Sequence, residues 1–106
     1  MQIEVLFRNG FGYDDLIAKM NSNSKFIFYV LKTDSTDKRT KKAKVKGWTK
    51  VAHKKYGGDI TIRKDNGRCS VEIDDKSESQ QLSGAWINWL RNQTQDLIFG
   101  MDIRFC

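Results

Sequence analysis

Hydrophobic positions change their spacing several times along this chain, and each change marks a new element. From Gln2 to Arg8, Ile3, Val5 and Phe7 alternate with Gln2, Glu4 and Arg8. That period of two is the mark of a half-buried strand, and Asn9-Gly10 ends it. Tyr13, Leu16, Ile17 and Met20 then recur at helical spacing, with Asp14 and Asp15 where carboxylates face the positive end of a helix dipole. The spacing predicts a short helix over about Tyr13 to Met20. Phe26 to Leu31 is apolar at every position and rich in aromatic and β-branched residues, which predicts a strand covered on both faces and central in its sheet. Thr33 to Thr40 has no periodicity and no large apolar residue, so residues 33–42 read as a mobile basic loop.

Alternation resumes from Lys42 to Val51. Ala43, Val45, Gly47, Thr49 and Val51 share one face; Lys42, Lys44, Lys46, Trp48 and Lys50 share the other. At strand rise this outward row spans roughly 26 Å. Gly47 inside it is the kind of residue that marks a bulge, and a flip there would turn Trp48 into the core. Gly57-Gly58 turns the chain, Asp59 to Lys64 alternates again, and Asp65-Asn66-Gly67 is a hairpin signal ahead of Cys69, Val71 and Ile73. Ser70, Glu72 and Asp74 would lie on the outer face of that third strand, placing a carboxylate opposite Arg63. Ser77 followed by Gln80 resembles a capping box, and Leu82, Ala85, Trp86, Trp89, Leu90 and Gln93 mark a helical face running to about Thr94. The two tryptophans on that stripe pack the helix on the sheet. Phe99, Met101, Ile103 and Phe105 alternate as a closing strand.

The element order β-α-β-β-β-β-α-β predicts an α+β fold: one domain over residues 1–106, a mostly antiparallel sheet, and two helices packed on one face. Its 106 residues suffice for a single core without metal or disulfide staples. In element order alone, a helix, three strands and a second helix resemble the double-stranded-RNA-binding domain. The second helix departs from that pattern, opening on Ser77, Glu78, Ser79 and Gln80 where that domain uses basic residues.

Charge changes the picture most. Between Lys38 and Lys64 stand eleven cations (Lys38, Arg39, Lys41, Lys42, Lys44, Lys46, Lys50, Lys54, Lys55, Arg63 and Lys64) against the single acid Asp59, a local net of +10 in a chain whose total is +6. The remainder is therefore acidic on balance, and the polarity is the main functional clue. Clustered lysines exchange counterions for phosphates, and an aromatic among them can stack on a base. The candidate nucleic-acid-binding residues are Lys38, Arg39, Lys41, Lys42, Lys44, Lys46, Trp48, Lys50, Lys54, Lys55 and Arg63. A solvated face protected from edge pairing by its lysines would look similar.

His53 is the only histidine, and as a general acid or base it would need a partner such as Glu72 or Tyr56. Neighbouring lysines should depress its pKa. Phosphate-binding GxxxxGKS/T loops, GxGxxG turns, GxSxG elbows and Cys/His metal arrays are absent from the sequence. Cys69 reads as a small buried hydrophobe, and two cysteines in 106 residues form no disulfide framework. No apolar run is long enough to span a bilayer and the start lacks an export-signal pattern, which predicts no membrane association and a cytoplasmic home. The sequence thus points to a small non-enzymatic nucleic-acid-binding protein with no cofactor and no metal. The alternatives are an interaction module, inhibitor or adaptor, docking on an acidic protein, and a small ribonuclease or toxin centred on His53.

Overall fold

The computed structural model describes residues 1–23, 27–34, 47–65 and 67–104. Six strands, β1 (Gln2–Phe7), β2 (Phe28–Asp34), β3 (Trp48–His53), β4 (Gly58–Asp65), β5 (Arg68–Asp75) and β6 (Ile98–Arg104), form one sheet in the order β2-β3-β4-β5-β1-β6. Every neighbouring pair is antiparallel. Helix α1 (Tyr13–Asn23) follows β1, and α2 (Gln81–Gln93) joins β5 to β6. The element order is the one the hydrophobic pattern predicts.

Both helices lie on the same face. Tyr13, Leu16 and Met20 of α1 and Leu82, Trp86, Trp89 and Leu90 of α2 share one core with Ile3, Val5, Val51, Ile60, Ile62, Cys69, Val71 and Ile73. These sheet residues are alternate positions, so the register hands one side of each strand to the core, and no described helix packs on the other side, where Ala52 and Thr61 are nonetheless buried. Trp86 and Trp89 stack at 5.2 Å, and the Phe28 ring meets Trp86 edge-on at 5.5 Å. Burial pushes the Cys69 thiol up to about 12, with the carboxylate of Asp14 acting in the same direction.

Helix α2 starts differently from the expected capping box. A single 3-10 turn, Glu78–Gln80, precedes it, and Ser79 and Gln80 both have positive φ, 55° and 54°. Neither Ser77 with Gln80 nor Gln80 itself forms the cap. Asp75, at the end of β5, accepts hydrogen bonds from the Ser83 amide and hydroxyl at 2.8 Å each and from the Ser77 amide at 2.9 Å, as well as from the Ser77 hydroxyl. The Ser77 hydroxyl in turn accepts from the Leu82 amide at 3.0 Å. The orphan amides of the first turn are thus satisfied from the preceding strand.

A second expectation fails as well. The all-apolar run places β2 at an edge of the sheet, not at its centre, with Tyr29, Val30 and Leu31 at 44%, 42% and 50% exposure. Among the described residues of that run only Phe28, at 3%, is buried in the core. The strand also runs three residues beyond Leu31, taking in Lys32 and two residues of the expected loop, Thr33 and Asp34; the rest of that loop, residues 35–42, lies outside the described residues.

Candidate nucleic-acid interface

Opposite residues in an antiparallel pair point to the same face, so the register fixes the outer surface. Lys32 faces Lys50, and Lys50 faces Thr61. One step along, Trp48 faces Arg63, and Arg63 faces Ser70. Trp48 and Lys50 stand on the uncovered side while Thr49 and Val51 are buried in the core, which is the alternation expected from the sequence. No register shift interrupts Trp48, so the feared bulge at Gly47 does not turn the indole inward. The Lys32 ammonium sits 5.9 Å from the centre of the Trp48 ring. That is cation–π distance, and it sets a lysine across part of a partly exposed indole.

Lys32 is a site residue that the sequence did not single out. A bulge between Val30 and Lys32 breaks the alternation of β2, so parity counted from Phe28 assigns Lys32 to the wrong face. Arg63 is ion-paired with Glu72 at 3.2 Å, as the opposed strands foretold, and so brings less free charge than its type suggests. Beyond β4 the outer surface turns acidic or neutralised: Arg68 is matched with Glu4 at 2.6 Å, and Asp59 faces Asp74.

The structure separates the candidate residues. Lys50, Trp48 and Arg63 converge with Lys32, whereas Lys54 and Lys55 lie in the bend after β3, at the other end of that strand, roughly 20 Å along the chain from Trp48. Lys38, Arg39, Lys41, Lys42, Lys44 and Lys46 lie outside the described residues. Their connection is nevertheless placed at both ends: it leaves β2 after Asp34 and returns through Gly47 to Trp48, and Asp34 and Trp48 are paired. The sequence between Asp34 and Trp48 holds these six cations.

His53 points to the helix side. Its Nδ1 accepts hydrogen bonds from the Lys55 and Tyr56 amides at 2.9 and 3.3 Å, which assigns the proton of the neutral ring to Nε2. Its ring stacks on Tyr56 at 4.6 Å and meets Phe28 edge-on at 5.1 Å. Burial first, and the positive charge of Lys55 second, lower its pKa from the ordinary value. Glu72 stands on the opposite face of the sheet, bound to Arg63, so the acid–base pairing of His53 with Glu72 is not assembled.

Behind His53 opens a groove of about 590 Å³, lined by Phe28, His53, Tyr56, Trp89 and the outer stripe of α2. Sequence reasoning missed it. The only available signal was that Gln81, Gly84, Ala85, Asn88 and Asn92 form a helical stripe without charge. Among the described residues no group of three or more His, Cys, Asp or Glu side chains is placed to hold a metal ion. No described helix is long and apolar enough to cross a membrane. No known protein family matches the chain, and no curated protein or solved structure matches it at a significant level.

Proposed function

We propose that this protein binds nucleic acid through the outer face of β2, β3 and β4, with Trp48 as a stacking platform and lysines around it as phosphate contacts. The observation that carries the reading is the convergence of Lys32, Lys50 and Arg63 on Trp48, on a sheet face that no described helix covers. The sequence that joins β2 to β3 adds six further cations. A flat surface with one accessible indole suits single-stranded nucleic acid, whose bases are free to stack. Towards β5 and β1 the outer face offers phosphate no net attraction, with Asp59 facing Asp74 and with Glu4 and Glu72 ion-paired to Arg68 and Arg63.

Fluorescence anisotropy with a labelled single-stranded oligonucleotide tests this. Trp48→Ala should weaken binding by about 1–3 kcal/mol if one base stacks there. Lys50→Glu with Lys32→Glu should weaken it further. Wild-type protein that shows no salt-sensitive retention of any oligonucleotide would refute the reading.

A second reading draws on a different observation. The edge strand β2 exposes Tyr29, Val30 and Leu31, and an edge with open backbone groups can accept a strand from another protein. An acidic partner would suit the nearby lysines. Purified protein that carries no nucleic acid, yet forms a stoichiometric complex with an acidic protein after nuclease digestion, would favour this reading over the first.

A further inference from the structure

The groove between α2 and the β2–β3 end of the sheet has a chemistry of its own. Four of its walls are rings: Phe28, His53, Tyr56 and Trp89. They are held against one another by edge-on contacts of Phe28 with His53 and Trp89 and by the stacking of His53 on Tyr56. The remaining wall is α2, which presents the amides of Gln81, Asn88, Asn92 and Gln93 around Gly84 and Ala85. Asn88 and Asn92 are one helical turn apart and so stand side by side. Each amide offers donors and an acceptor on one planar group.

No charged side chain is among the described lining residues. An ionic occupant would lose hydration there without gaining a counter-charge. The side-chain amides of Gln81, Asn88, Asn92 and Gln93 are exposed and free to turn to an occupant's polar edge. The volume, about 590 Å³, falls within the range of small-molecule sites. We infer that this groove is a binding site for an uncharged, planar heteroaromatic ring with hydrogen-bonding edges, that is, a nucleobase or nucleoside, held between the aromatic walls and read by Asn88 and Asn92. Paired amide contacts of this kind are how asparagine and glutamine recognise a base edge. This site is on the helix side of the sheet, opposite Trp48, and does not rest on the outer-face reading.

Gly84 supplies the decisive variant. It faces the groove with an ordinary helical backbone, and a Cβ built on it meets nothing within 4 Å. Gly84→Leu therefore fills the groove without strain and improves helix propensity, so the protein should stay folded with an equal or higher melting temperature. The experiment is calorimetric titration of the full chain with adenosine, guanosine, cytidine and uridine, each in turn, and with toluene as a ring lacking polar edges. Side-chain amide signals of Asn88 and Asn92 are followed by NMR.

At least one nucleoside should bind with a dissociation constant below about 1 mM and shift both amide signals, with toluene at least about tenfold weaker. Gly84→Leu should weaken the nucleoside by about tenfold or more, and Asn88→Ala by about fivefold, the worth of one ordinary hydrogen bond. Absence of saturable binding by all four nucleosides overturns the proposal. So does toluene binding as tightly, or unchanged affinity in Gly84→Leu. Nucleoside binding that survives Gly84→Leu but is lost in Trp48→Ala would assign the ring to the outer face instead, overturning the groove and supporting the other site. Loss of oligonucleotide binding in Lys50→Glu with nucleoside affinity intact would show the two sites to be separate.

Discussion

Two residues near the end of β3 show how much local geometry decides here. Gly58 begins β4 at φ +108°, and a Cβ there would lie 2.1 Å from the Asp74 carbonyl oxygen and 2.9 Å from the Lys76 amide nitrogen. Both obstacles are backbone and cannot swing away, so Gly58→Ala combines left-handed strain with a forced shift of β5. A loss of about 3 kcal/mol is expected in the urea midpoint, and a variant as stable as wild type would contradict it. His53 makes a prediction of a different sort. Its Nδ1 is an acceptor for two amides, and protonation converts it to a donor and opens the turn of residues 54–57. Because its folded pKa is lowered, the unfolded chain takes up the proton first. The contribution is thus full above about pH 6.5 and declines as pH falls below that value. His53→Gln should flatten the stability profile between about pH 7 and 5, and a slope unchanged by the substitution would exclude the role. The sequence exposed the repulsion from neighbouring lysines that acts on His53, but the larger cause is burial against Phe28 and Tyr56. The Phe28 contact exists only once β2 pairs with β3.

Among elements, α2 depends on a residue outside it. Asp75 receives four hydrogen bonds from Ser77 and Ser83, and although burial pushes its carboxyl upward, these bonds win and hold it at about 2. Since the folded pKa is depressed, the stabilisation is complete above about pH 4 and is lost as pH falls towards 2. Asp75→Ala should cost about 1–2 kcal/mol at neutral pH, the range for loss of a helix cap, and should remove that segment of the acid transition. An acid melting curve that keeps its shape in the variant would refute the assignment. The sequence signalled a helix start here through Ser77 and Gln80 but named the wrong partners. A cap supplied across a 3-10 turn at positive φ has no fixed spacing to read. The same limit explains β2. An uninterrupted apolar run fits a central strand and an edge strand equally well, because periodicity reports how many faces are apolar and not whether anything covers them. Strand order depends on pairings between distant segments, such as β1 with both β5 and β6, which local pattern does not encode. By contrast, element order and the inward or outward sense of β3, β4 and β5 were legible because each strand alternates without interruption.

At the scale of the whole molecule, the sheet is a charge gradient laid across an uncovered face. Lys32 and Lys50 stand on the β2–β3 side, and Glu72, Glu4 and Asp102, each ion-paired with an arginine, succeed one another towards β6. The pairing of Arg63 with Glu72 sits at the boundary, both side chains more than half exposed to solvent. This arrangement makes the outer-face reading quantitative. If Lys32, Lys50 and the six cations of the connection each neutralise one phosphate of a single strand, log K against log salt should fall with a slope of about −6. Replacing Lys32 and Lys50 by alanine should make that slope shallower by about 1.4, because two counterion exchanges are lost. Glu72→Gln should act in the opposite sense, releasing Arg63 towards the strand and removing a repulsive charge beside Trp48, so that affinity rises and the slope steepens by about 0.7. Lys54→Ala with Lys55→Ala should leave the slope nearly unchanged, since these residues lie at the other end of β3 from Trp48. Anisotropy titrations at several salt concentrations read all three variants and the wild type on one scale. A slope that responds to Lys54 and Lys55 but not to Lys32 and Lys50 would move the interface off the sheet face and onto the rim of the His53 groove.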